Sequence, residues 1–231
     1  MAPQQSQVYR VALLMFDGVD VLDFAGPLEV FSHASFSVES GHGPPAFDVE
    51  FIAQSEVIPT TTKLRVLRDL SIEEATAKVD SYDILLVPGG PPDVIVPLYK
   101  SDSPELDFIR LFGNRPQLPE KKRKTIFSVC TGSLLLGSAG LLADLQATSH
   151  HMFLDELREA CKLGGTPDTG IVCARYIDSG RRETGLRIIC AGGVSSGLDA
   201  ACHLISTEFS EEQALLVAKL TEYDWRRGIV A

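Results

Sequence analysis

Four stretches of the chain are almost unbroken apolar sequence: Tyr9–Phe16, Tyr82–Val87, Thr125–Val129 and Leu186–Ala191. Runs this short, β-branched and bounded by turn residues predict strands buried on both faces of a parallel sheet. Phe47–Ala53 alternates apolar and polar positions as a further strand, Val57–Asp69 reads as a β-hairpin, and Ile171–Ile177 as another strand. Between them lie patterns of helical period. Val21–Ser35 has apolar residues at 21, 22, 24, 28, 30 and 31, with Gly26-Pro27 suited to a first turn. Ser71–Val79 opens with acidic residues, as the helix dipole prefers. Ser103–Phe112, Thr131–Leu142 and Phe153–Leu163 follow, and a last long helical region opens at Gly192–Gly197 and continues through Leu204–Ala218. Polar connections are expected at Ser37–Pro45, Gly113–Lys124 and the charged turn Asp178–Glu183.

Strands alternating with helices predict an α/β fold with a doubly wound, mostly parallel sheet in one domain spanning residues 1–231. In such sheets ligands bind beyond the carboxyl ends of the strands. Asp17–Asp23, Gly89–Gly90, Cys130–Thr131, His150 and Gly192–Ser196 all follow strands, so one crevice is expected to gather them.

Composition narrows the function. The chain has 231 residues, 45% hydrophobic and 23% charged, with a formal net charge of −10. That acidity argues against nonspecific binding to nucleic acid or to an anionic membrane. No apolar run reaches membrane-spanning length, and Met1–Arg10 lacks the apolar core of a signal peptide. The five cysteines lack CxxC or Cys/His spacing, so reduced thiols, a cytoplasmic location and no metal or cofactor are expected. The KKRK run at 121–124 reads as a solvated loop before a localisation patch.

The chemistry centres on Cys130. The Thr125–Val129 strand runs straight into Cys130-Thr131-Gly132 and then a helical pattern, which forces the sharp turn called a nucleophile elbow. A thiol there faces the N–H groups and dipole of a helix N-terminus, which favour the thiolate; a buried structural cysteine is the alternative. Asp23 reads as an N-cap or first-turn carboxylate just before its helix. Gly89-Gly90 allows close backbone approach to a ligand, or makes a plain strand-to-helix turn. Ser195 and Ser196 line the pocket or, the preferred reading, cap the final helix, and Cys161, Cys173, Cys190 and Cys202 read as core.

The segments LDFAGPLEVF (22–31), LLVPGG (85–90), FSVCTGSLLLGSAGLL (127–142), ATSHH (147–151) and GGVSSGLDAA (192–201) together resemble the ThiJ/PfpI superfamily, nearest its isocyanide hydratase-like members and related amidase-like regulators. The resemblance implies a flavodoxin-like (class I glutamine amidotransferase-like) α/β sandwich, a homodimer, a small-molecule substrate and Cys130 as nucleophile. It implies that Asp23 hydrogen-bonds the thiol, that Thr131 with the Gly89 and Gly90 N–H groups holds the substrate, and that His150 is a candidate base. The implied reaction is hydration of an organic isocyanide to an N-substituted formamide. Glyoxalase or deglycase action and a cysteine redox sensor or chaperone are the alternatives. The chain departs from relatives in carrying Thr131 where superfamily proteases have histidine after the cysteine. It also lacks the late His-x-Glu of the amidotransferases and ends at Ala231 without room for the regulators' DNA-binding domain. Asp144-Leu145 replaces a Gly-Lys pair, and His151 a tryptophan.

Overall fold

The computed structural model describes residues 8–36, 43–116 and 124–227. The N-terminal segment, most of the 37–45 connection and most of the KKRK run lie outside the described residues. In chain order the elements are β1 (Tyr9–Leu14), α1 (Val21–Ser32), β2 (Phe47–Ala53), β3 (Val57–Pro59), β4 (Arg65–Leu67), β5 (Leu70–Ser71), α2 (Ile72–Ala77) and β6 (Ile84–Val87). They continue as α3 (Pro92–Lys100), α4 (Pro104–Asn114), β7 (Lys124–Val129), α5 (Gly132–Ser138), β8 (Gln146–Ala147) and α6 (Leu154–Leu163). The chain closes with β9 (Gly170–Ile171), β10 (Tyr176–Arg181), β11 (Leu186–Ala191), α7 (Ser196–Glu208) and α8 (Glu211–Leu220).

The central sheet has seven strands in the order β10-β11-β7-β6-β1-β2-β5. All its pairings are parallel except β10 with β11. Burial follows from this arrangement. Every residue of β6, β7 and β11 is buried, since helices cover both faces. Chain order reverses at β1, with β2 on one side and β6 on the other, so a crevice opens beyond their carboxyl ends. The turns after β1, β6 and β7 all face it.

Several elements differ from the sequence reading, each for a local reason. α1 begins at Val21, so Asp23 lies inside its first turn, not before it, and Pro27 sits in the helix interior. The ring removes the N–H that would reach the Asp23 carbonyl, and Pro27 instead packs against Gly197 of α7. α3 is an unexpected helix, whose prolines at 92 and 97 mask an apolar stripe. α5 ends at Ser138. Ile171–Ile177 divides into β9 and the start of β10, which runs through the expected charged turn as far as Arg181 because it pairs with β11. The final helix breaks at Phe209, where Ser210 caps α8 by accepting from the Gln213 N–H at 3.1 Å. The hairpin, β3 against β4, forms as expected.

Cys161, Cys190 and Cys202 are buried, but Cys173 is exposed. It lies on the irregular segment between β9 and β10, where its neighbours, not its own side chain, meet the core. No described helix is long and apolar enough to cross a membrane.

Candidate active site

Cys130 sits at the apex between β7 and α5 with φ of +77°, a left-handed conformation that costs a non-glycine residue energy. The chain tolerates it because both sides are fixed. The Cys130 N–H donates to the Ala191 carbonyl at 3.1 Å. Its own carbonyl accepts from Ser133 Oγ at 3.1 Å and Ser149 Oγ at 3.0 Å. The turn leaves no room for side chains around it: a Cβ on Gly132 would lie 2.3 Å from the Val87 carbonyl oxygen.

Asp23, from α1, is fully buried against this elbow. Its Oδ2 accepts the Gly89 N–H at 3.0 Å, while Oδ1 is buried with no hydrogen-bond partner of good geometry. The carboxyl and the Cys130 thiol act directly on each other. Burial pushes Asp23 up from 3.8 to about 7, against the pull of the Gly89 N–H, and the Asp20 carboxylate raises it further. Burial also pushes Cys130 up from 9.0 to about 12, with the Asp23 charge adding to it, while the Thr131 and Val194 N–H groups at the sulfur oppose the rise. The expectation that the helix terminus alone would favour the thiolate is therefore overturned by desolvation and by Asp23. Once Asp23 holds a proton, its charge is gone and the two N–H donors remain. Above about pH 7 the pair holds one proton, for which two buried acids compete.

Thr131 and Gly90 form a closed clamp. Thr131 Oγ1 donates to the Gly90 carbonyl at 2.8 Å and accepts the Gly90 N–H at 2.9 Å. The Gly89 carbonyl accepts the Asp20 N–H at 3.0 Å. The Gly89 and Gly90 N–H groups are thus both taken by protein acceptors, and what they give the site is its frame. A Cβ on Gly89 would fall 2.5 Å from Thr131 Oγ1 and 2.9 Å from Asp23 Oδ2, which is why glycine stands there.

His150 lies at the edge of this cluster. Its ring packs on Gly193, whose Cβ would meet His150 Cδ2 at 3.0 Å, and stacks on His151 with centroids 4.4 Å apart. Its Nδ1 accepts the Met152 N–H at 3.3 Å. Burial, with His151 adding to it, holds His150 below its ordinary value, so the neutral ring carries its proton on Nε2. In this geometry it offers a donor where a base was expected.

Sequence reasoning missed two participants and misplaced a third. Asp20 acts on Asp23, Cys130 and His150 at once. The Val194 N–H reaches the sulfur from the turn before α7. Ser195, expected to cap α7, makes no cap bond and faces Arg175 instead. The Asp17–Asp23 and Gly192–Ser196 segments carried the hint, since both follow strands at the same sheet edge. Among the described residues, no group of three or more His, Cys, Asp and Glu side chains is arranged to hold a metal ion.

Comparison with known proteins fits this geometry. The DJ-1/PfpI family model matches residues 9–166. Isonitrile hydratase from Pseudomonas putida is 30% identical over 216 residues, covering 93% of this chain and 78% of that protein. Among solved structures, a ThiJ/PfpI family protein from Pseudomonas syringae matches with a TM-score of 0.72 at 26% identity, over 96% of this chain and 77% of that one. Oxidized DJ-1 from Toxoplasma gondii matches with a TM-score of 0.71 at 18% identity, over 94% of this chain and 100% of that one.

Proposed function

The chain belongs to the DJ-1/PfpI family, and within it we propose a cysteine-dependent hydratase that converts a small organic isocyanide to an N-substituted formamide. The observation that carries this reading is the buried Asp23–Cys130 pair, an acid that titrates near neutrality held against a thiol at a strained elbow. Cys130 is the nucleophile. With the proton on Asp23, the thiolate attacks the terminal carbon of the isocyanide and Asp23 protonates that carbon, leaving a thioimidate. The Asp23 carboxylate then takes a proton from water as the water oxygen adds to the same carbon. The hydroxyl proton passes to nitrogen as the C–S bond breaks, and the formamide leaves with the thiolate regenerated beside a protonated Asp23. The Thr131 and Val194 N–H groups stabilise charge on sulfur when it attacks and when it departs. Thr131, Gly89 and Gly90 keep Asp23 and Cys130 in register, and His150 lines the entrance as a donor.

A cytoplasmic homodimer with no cofactor belongs to the same proposal, and light scattering on the purified chain tests the dimer. The decisive experiment follows aryl isocyanide turnover by ultraviolet absorbance in the wild type, Cys130→Ala and Asp23→Asn. Turnover by the wild type, lost in both variants, is expected. A folded wild type without turnover, or a Cys130→Ala protein that keeps it, refutes the proposal.

A further inference from the structure

The turn that brings the Val194 N–H to the sulfur contains Gly192 and Gly193 and has no side-chain cap of its own. It is held from outside. The Arg175 carbonyl accepts the Gly192 N–H at 2.8 Å. A Cβ on Gly192 would lie 2.7 Å from the Ala174 oxygen and 3.3 Å from the Arg175 oxygen, so this backbone presses directly on the turn. The Arg175 guanidinium donates to Asp199 Oδ2 through Nε at 2.8 Å and through Nη2, and its Nη atoms lie 3.4 and 3.5 Å from Ser195 Oγ.

Asp199 is fully buried in the first turn of α7. Its Oδ1 accepts the Tyr223 hydroxyl at 2.9 Å and the Arg226 N–H at 2.8 Å, and its carbonyl accepts Trp225 Nε1 at 3.1 Å. One carboxylate therefore ties together α7, the strand-side segment at 174–175 and the C-terminal residues 223–226. A buried ion pair of this kind adds little net stability, because desolvation offsets its attraction. What it supplies is a fixed geometry.

We propose that Arg175 and Asp199 are positioning residues which, with the segment Tyr223–Arg226, hold the Val194 N–H on the Cys130 sulfur. Neither touches the thiol. They act through the Gly192–Ser195 turn, whose glycines would otherwise leave the donor free to drift. The charged groups that do act on the thiol, Asp23 and Asp20, stand on or just before α1 and are left intact by changes at Arg175.

The test is the pH dependence of Cys130 alkylation by iodoacetamide, read by mass spectrometry on the full chain in a Cys173→Ser background that removes the exposed thiol. Arg175→Ala is expected to move the midpoint to higher pH and to slow alkylation at pH 8 by roughly tenfold, the loss of one hydrogen bond to a charged acceptor. Arg175→Lys should recover part of the rate, and Ser195→Ala should shift the midpoint the same way by less. A folded Arg175→Ala protein whose profile overlays the background overturns the proposal. If circular dichroism shows Arg175→Ala unfolded, Ser195→Ala decides, and an unmoved midpoint there overturns it. The inference rests on Cys130 being a reactive thiol but needs no isocyanide. Absence of hydratase turnover with a normal alkylation profile removes the substrate and leaves the clamp, whereas a Cys130 unreactive at every pH removes both.

Discussion

Replacing Asp23 by asparagine separates stability from chemistry. The Asp23 carboxyl is wholly buried, with one oxygen on the Gly89 N–H and the other without a partner. Titration near 7 in the folded chain against 3.8 unfolded corresponds to about 4 kcal/mol, at about 1.4 kcal/mol per pH unit. The folded protein keeps a proton that the unfolded chain has released, so it binds more protons between about pH 4 and pH 7. This contribution is therefore complete below the unfolded value and is lost as pH rises to about 7. Asparagine places an amide oxygen on the Gly89 N–H and cannot ionise. In urea unfolding from pH 4 to pH 8, the wild type should lose about 4 kcal/mol more than Asp23→Asn, with most of the divergence complete by pH 7. The window stops at pH 8 because the Cys130 thiol, raised from 9.0 to about 12, contributes its own loss above that. Isocyanide turnover should fall in the same variant even where it is the more stable protein. Parallel stability curves across the window would show that Asp23 does not hold a proton in the folded chain, and the proposed acid would be lost with it.

The elbow predicts an inverted preference at Cys130: glycine there should be more stable than alanine by about 1 kcal/mol in thermal unfolding, since only alanine keeps the strain at positive φ. Thr131→Val strands both the N–H and the carbonyl of Gly90 and should cost about 2–3 kcal/mol by chemical denaturation, while Thr131→Ser restores most of it. Gly89→Ala drives a methyl group into Thr131 and Asp23, so a soluble variant should have lost turnover even where its circular dichroism is preserved. Asp20→Asn removes a negative charge acting on both Asp23 and Cys130; faster alkylation of Cys130 at pH 8, by roughly twofold, is expected from the loss of like-charge repulsion, and a slower rate contradicts the electrostatic account.

Much of this protein is written locally. The apolar runs at Tyr9–Leu14, Ile84–Val87, Lys124–Val129 and Leu186–Ala191 become core strands because a stretch with few polar positions is satisfied only with both faces covered. The elbow at Cys130 follows from strand, small residues and helix placed without a loop between them. Helix ends were harder to read where proline masked them. Pro27 and Pro97 both lie inside helices, α1 and α3, that packing sustains. The exposure of Cys173 depends on which neighbours the sheet edge happens to cover.

The ionisation of the site belongs to tertiary structure alone. Nothing in the order of residues shows that Asp23 is sealed from water, or that desolvation outweighs the helix terminus at Cys130, because both depend on how α1 packs over the elbow. Nor does it show that Gly89 and Gly90 spend their N–H groups on Asp23 and Thr131, or that Arg175 reaches across to Asp199. Sequence determines which side chains and backbone turns end each strand, since strand and turn formation are largely short-range properties. Only the folded chain decides the dielectric around them and the partner of each donor, since both are set by atoms distant in sequence.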